Sequence, residues 1–270
     1  MSRQQKTFRA IEVGDGSDGR WAGHTQALWP LAEGWMTEES RTLEGADRAR
    51  KLFEAHMPEL VPVLDRLAGQ LDRPEGETFL TLAALRPFFS GCTQIGGSGT
   101  LLRNYDFSPD ECEGTIVSSH FLRPVIGMQD AAWGLLDGMN DAGLAVSLTF
   151  GGRFVHGPGF AILIVLRYLL ETCNTVDANH QHLPVPDEQE QFSRTQERLR
   201  AVRAAGTDVA AMLKPPLYQS AYDEGLGTVY TARYRPSEGR VTYYWPDESW
   251  EQSFDGFAPG SRTVTIGRAG

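Results

Sequence analysis

Three cysteines and six histidines are the side chains in this 270-residue chain best suited to nucleophilic or metal chemistry. Cys112 lies in the acidic run Asp110-Glu111-Cys112-Glu113, where neighbouring carboxylates disfavour a thiolate, and Cys173 ends an apolar helical stretch. Cys92 is different. It follows Gly91, starts a strand-like segment (Cys92-Thr-Gln-Ile), and is joined through the glycine-rich GGSGT to a second strand, Leu101-Leu-Arg-Asn-Tyr-Asp-Phe107. A turn at about Gly97–Gly99 puts Cys92 roughly opposite Arg103 or Asn104, where a guanidinium would favour the thiolate. Strict alternation places Arg103 and Asp106 on opposite faces, so both reach the sulfur only if the strand ends or bulges between them. A plain surface Arg–Asp pair is the competing reading of the same spacing.

Bulk properties narrow the chemistry further. The 41% hydrophobic and 22% charged content is that of a globular protein large enough for a sizeable core. A net charge of −10 without a basic block argues against a nucleic-acid partner. The three scattered cysteines give no disulfide framework and no C-x-x-C pair. His180 and His182, with His156 elsewhere, lack acidic or thiol ligands at zinc-like spacing, so no metal or other cofactor is expected. The start of the chain has no apolar signal segment, and the run Phe160–Leu170, broken by Arg167, is too short to span a bilayer. The expectation is a cytoplasmic location with no membrane partner, a reducing setting that suits a free thiol.

The elements that must position Cys92 follow from periodicity. Residues 6–13 alternate as a strand, and 44–71 carry a helical pattern that Pro58 and Pro62 divide in two. Residues 115–121 read as a strand, and Leu135–Phe150 as a hairpin turning at Asn140–Gly143. Residues 160–176 read as a buried helix, and 187–204 as a solvent-facing one. Strands return at 227–234 and 240–245. Helices and strand pairs grouped in this way predict an α+β layered architecture.

Ser-Gly-Cys92-Thr93, Leu-Leu-Arg103-Asn104-Tyr-Asp106-Phe, Gly134-Leu-Leu-Asp-Gly-Met-Asn140-Asp-Ala-Gly143-Leu and Gly227-Thr-Val-Tyr-Thr-Ala-Arg-Tyr-Arg-Pro236 together resemble the choloylglycine hydrolase and isopenicillin-N acyltransferase group of N-terminal-nucleophile hydrolases, in its bacterial acyltransferase-like branch. The resemblance runs over roughly residues 85–258 and implies a four-layer αββα sandwich. It implies that Cys92 is the nucleophile, freed by self-cleavage after Gly91, and that its new α-amine is the general base. It further implies that Asp106 holds that amine, that Arg103 stands beside the sulfur, and that Asn179 donates to the oxyanion. Thr149, Asn104 and Asn140 are supporting candidates, Thr149 standing where bile-salt hydrolases carry an asparagine. Residues 1–91 would then be a mostly helical propeptide or partner chain and 92–270 the nucleophile-bearing core, together one structural domain. The substrate would be a small amide or acyl-thioester, and cleaved protomers could form a homo-oligomer.

One departure stands out. The family places a pair of strands, about 30–40 residues with connections, between the helix near 160–177 and the asparagine segment. Here Asp177-Ala178 runs straight into Asn179-His180. Either the hairpin is lacking or a segment between Ala178 and Asn179 is omitted; the second is preferred, because losing central strands exposes sheet edges. Two alternative functions are a conventional Cys–His hydrolase, with His120 as the partner, and an inactive binding protein on the same scaffold.

Overall fold

The computed structural model describes residues 3–83, 85–86, 91–150, 157, 159–175 and 194–267. Its N-terminal strand β1 (Gln4–Gly14) is followed by four helices: α1 (Arg20–Trp35), α2 (Leu43–His56), α3 (Val61–Ala68) and α4 (Gly76–Leu80). Thr42 caps α2 by accepting from the Gly45 amide, and Pro58 and Pro62 separate α2 from α3 as the sequence predicts. Helix α1 escaped the periodicity argument. Its interior Pro30 and its glycines weaken the pattern, yet Trp21 and Trp29 anchor it in the core.

The strands after the first four helices are β2 (Gly91–Gly97), β3 (Thr100–Phe107), β4 (Thr115–His120), β5 (Pro124–Asp130), β6 (Gly134–Asn140) and β7 (Ala145–Ser147). Then come α5 (Ile162–Thr172), α6 (Thr195–Ala205) and α7 (Val209–Met212), and the strands β8 (Ser220–Ala221), β9 (Leu226–Arg235), β10 (Arg240–Tyr244), β11 (Ser249–Ser253) and β12 (Gly260–Ile266). They form two sheets. One has the order β12-β1-β4-β5-β6-β7; the other runs β11-β10-β9-β3-β2, with β8 paired to β9. The architecture is therefore mixed, with two largely antiparallel sheets and helices; among the described residues β1 with β4 is the one parallel pairing.

Side chains of the two sheets meet each other: Phe8 of β1 packs edge-on against Tyr230 of β9, and Tyr230 also bonds Asp137 of β6. Helix α5 lies on β6, its Arg167 donating to the Trp133 carbonyl from a fully buried position. Helices α6 and α7 cover the other sheet, where Leu102, Val202, Met212 and Leu217 form a separate apolar cluster. Among the described residues no helix is long and apolar enough to cross a membrane.

Of the solvent-facing helix expected over 187–204, residues 187–193 lie outside the described residues. Helix α6 faces solvent along most of its length and turns only Arg198 and Val202 inward, a narrow face left by its Glu, Gln and Arg side chains.

Candidate active site

The β2–β3 hairpin turns at Ser98-Gly99, both at positive φ (50° and 70°), which matches the right-handed twist of the flanking strands. The register follows from that turn. Gly97 pairs with Thr100, Gln94 with Arg103, and Cys92 with Tyr105. Cys92 thus faces Tyr105 rather than Arg103 or Asn104, because the turn is centred between Ser98 and Gly99 rather than on or before Ser98. Arg103 is nonetheless the diagonal neighbour on the same face, within reach of a long side chain.

Arg103 uses that reach. Its Nη2 donates to Cys92 Sγ at 3.2 Å and its Nη1 to the Leu136 carbonyl at 2.6 Å, while Nη1 stands 2.9 Å from Asp137 Oδ2. Its guanidinium lies over the Tyr105 ring, 5.0 Å from the centroid. Asp137 in turn accepts from the hydroxyls of Tyr230 (2.5 Å) and Tyr234. Arg103, Asp137 and both tyrosines are buried. Burial alone pulls the Arg103 pKa down, but Tyr230, Cys92 and Asp137 outweigh it and raise it, so the guanidinium is a fixed positive charge. Cys92 itself is half-buried.

Asp106 points to the other face of the hairpin, as alternation requires. The bulge that the strand carries lies in the β3–β9 pairing, between Tyr105 and Asp106, and does not bring Asp106 round to the Arg103 side. It accepts from the Thr228 hydroxyl at 2.6 Å and from Arg198 Nη2. Burial pushes its carboxyl above the ordinary value, against the pull of Arg198 and Thr228. Asp106 also lies against the start of β2: a Cβ placed on Gly91 would sit 3.3 Å from Asp106 Cβ and 3.5 Å from Oδ2. The hairpin therefore presents a guanidinium to the Cys92 sulfur on one face and a carboxylate to the Gly91–Cys92 backbone on the other.

Sequence reasoning missed Arg198, the positive partner of Asp106. Its only signal was one arginine among several in a polar helix, and nothing in the spacing separates it from Arg194, Arg200 or Arg203. It also missed Asp137, 34 residues from Arg103, and Tyr230 and Tyr234, which lie 93 and 97 residues from Asp137.

The supporting candidates lie elsewhere. Asn104 faces away from the sulfur, donating from Nδ2 to the Met212 and Leu217 carbonyls at 2.8 and 2.9 Å and accepting from Thr231. Asn140 clamps the turn after β6 to the end of α5. Its Nδ2 donates to the Leu170 and Cys173 carbonyls, and its Oδ1 accepts from the Ala142 and Leu144 amides. Asn140→Ala strands several of these groups and is expected to cost about 2–3 kcal/mol in urea denaturation, with no change in the pH profile of Cys92 alkylation. Thr149 is exposed just beyond β7. Asn179, His156, His180 and His182, and the junction at Ala178, lie outside the described residues.

His120 is exposed at the end of β4, in the sheet that does not contain Cys92. Cys112 is buried and pushed up to about 12, by burial first and by Asp130 next, so its inertness owes more to desolvation than to the adjacent acidic run. Among the described residues no cluster of three or more metal-ligating side chains occurs.

Residues 92–183 match the family model described as acyl-coenzyme A:6-aminopenicillanic acid acyl-transferase. The match covers about a third of the chain and begins on Cys92, and over that stretch the sequence is similar to the isopenicillin-N acyltransferase-like family. No curated protein matches the chain.

Proposed function

We propose, from that family segment and from the geometry around Cys92, that the protein is a self-processing cysteine amide hydrolase or acyl-transferase. The observation that carries the reading is the placement of one hairpin's side chains: Arg103 Nη2 3.2 Å from Cys92 Sγ, and Asp106 against Gly91.

In the processing step the Cys92 thiolate attacks the Gly91 carbonyl carbon. The C–N bond breaks, the Cys92 nitrogen takes up a proton, and a Gly91 thioester forms. Water hydrolyses that thioester, leaving a Gly91 carboxylate and Cys92 with a thiol and an α-amine. Asp106, itself held by Arg198 and Thr228, lies where it can orient this amine. An α-amine has an unperturbed pKa of about 7.7–8.0, close to working pH, which suits a general base.

In turnover the amine takes the thiol proton and the thiolate attacks the substrate carbonyl. The resulting ammonium protonates the leaving amine as a thioester forms on Cys92. Water or an acceptor amine, deprotonated by the same α-amine, then releases the acyl group. Asn179, Thr149 or a backbone N–H would donate to the oxyanion. Incubation with a panel of acyl-amides and acyl-thioesters, followed by mass spectrometry, is expected to show an acyl adduct on the 92–270 fragment that hydroxylamine removes. Absence of any adduct on a protein that turns the substrate over would overturn a thioester route.

The layering reads as the four-layer αββα sandwich: α5 on one sheet, α6 and α7 on the other, and the inner faces of the sheets together. On this reading residues 1–91 remain bound after scission. Strand β1 sits between β12 and β4, and Phe8, Trp21, Phe53, Leu64, Phe79 and Leu80 are buried in the common core. At roughly 1.5–3 kcal/mol for each such side chain, releasing the segment would cost on the order of 10 kcal/mol. The two fragments are expected to co-elute in size-exclusion chromatography and to separate only in denaturant.

A further inference from the structure

A second polar site lies away from Cys92, in a cleft between α1 and the connection from β5 to β6. Glu113, Asp130 and Thr25 supply its polar wall, and Leu28, Leu31 and Trp35 its apolar one. The interior has room for about one water-sized particle.

The polar groups are unevenly matched. Glu113 Oε1 accepts from Gln129 Nε2 at 2.8 Å and stands 3.3 Å from His24 Nε2, and its Oε2 accepts weakly from the Ala132 amide at 3.4 Å. Asp130 Oδ1 accepts from the Ala131 amide at 2.9 Å, and no cationic side chain forms an ion pair with Asp130 among the described residues. The nearby Lys6 ammonium donates instead to the Pro109 and Cys112 carbonyls. Thr25 Oγ1, on a residue only 1% exposed, lines the cleft with no hydrogen-bond partner. The buried Gln129 Oε1 beside Glu113 is likewise without one. An orphaned buried hydroxyl is costly, so the arrangement calls for a ligand that oxygen atoms can hold.

We propose that this cleft binds one water-sized monovalent cation, potassium or ammonium, between Asp130, Glu113 and the Thr25 hydroxyl. Glu113 already accepts from Gln129 and the Ala132 amide, whereas Asp130 has no ion-pair partner among the described residues. The charge left to balance is that of Asp130, and a single positive charge balances it. All the available donors are oxygen atoms, which suits a hard cation. The site joins α1 on one side of the Gly91–Cys92 bond to β5 on the other, so the ion would hold the two segments together, independently of any chemistry at Cys92.

The competing occupant of Asp130 is a proton. The groups facing Asp130 are Glu113, with the His24 ring behind it, and the Lys6 ammonium; Tyr105 and Cys112 are the other titratable neighbours. Burial first, and Glu113 next, push the Asp130 carboxyl well above its ordinary range. A carboxyl with a raised folded pKa contributes stability that is complete below its unfolded pKa and is lost as pH rises through the folded one. A bound cation offsets that loss, so its effect must grow with pH.

The test is thermal unfolding of the full chain in KCl, NH4Cl, NaCl and choline chloride at matched ionic strength, at about pH 5 and pH 8.5. At the higher pH, KCl or NH4Cl is expected to raise Tm by about 3 °C over choline chloride, and at the lower pH all four salts should agree. Asp130→Asn should abolish the salt difference at high pH, and Thr25→Val should raise the concentration of KCl needed by about tenfold while Thr25→Ser preserves it. Equal Tm in all four salts at high pH, or a potassium effect that survives Asp130→Asn, overturns the proposal. An equal gain in NaCl and KCl over choline chloride would mean small-cation binding without the selectivity of a water-sized site and would also overturn it.

Discussion

Cys92→Ala is expected to yield a single uncut chain of 29.8 kDa with turnover reduced on the order of 10⁴-fold or more. The size of the effect follows from the double duty of the residue. Its sulfur makes the acyl bond, and its nitrogen becomes the base only after the sulfur has opened the chain. Loss of the thiol therefore removes nucleophile and base together. Cys92→Ser separates the two roles: a hydroxyl has the same connectivity but gains far less from a neighbouring guanidinium than a thiol does. Cleavage in the serine variant should be slow rather than absent, read as the time course of the 1–91 fragment by intact mass. Neither Cys112, buried with its pKa pushed up to about 12, nor Cys173, at the C-terminal end of α5 against the sheet that does not contain Cys92, can substitute.

Arg103→Ala is the second large effect, and it has two separable parts. Arg103 and Asp137 are fully buried with an Nη1–Oδ2 separation of 2.9 Å. Removing the guanidinium leaves a buried carboxylate supported only by tyrosine hydroxyls, which is expected to cost about 3–5 kcal/mol in urea denaturation. The other part concerns the sulfur. Without the positive charge at 3.2 Å, the thiolate loses its stabilising partner, and the alkylation of Cys92 by iodoacetamide should need a higher pH. Each unit of that shift slows alkylation at neutral pH by about tenfold. Arg103→Lys distinguishes the parts. A lysine restores charge but not the fork that meets Cys92, the Leu136 carbonyl and Asp137 at once, so stability should recover further than the alkylation profile. An alkylation profile unchanged in both variants would show that Arg103 has no influence on the thiol.

How much of this was legible in the sequence depends on the range of each signal. The Gly91-Cys92 junction, the hairpin and the Arg103-x-x-Asp106 spacing are local, and alternation along β3 correctly puts Arg103 and Asp106 on opposite faces. The register differs from the expected one by one or two residues, because the glycine-rich GGSGT allows more than one turn and only the chain's own pairing selects Ser98-Gly99. The α+β class, the division of the early helices by Pro58 and Pro62, and the strands at 227–234 and 240–245 were all readable from pattern and proline placement. Strand β5, Pro124–Asp130, was not, since glycine and proline interrupt an otherwise buried run, and the two final strands lie among polar residues. The charge partners were the least legible. Arg198 for Asp106 and Asp137 for Arg103 are tertiary contacts, and no spacing rule reaches across 92 or 34 residues.

Intact mass spectrometry of the freshly expressed wild-type chain bears most directly on the central claim. Two species are predicted, residues 1–91 and 92–270, the second beginning with Cys92 by N-terminal sequencing. A wild-type protein that remains one continuous chain while turning over an acyl-amide substrate would contradict the account.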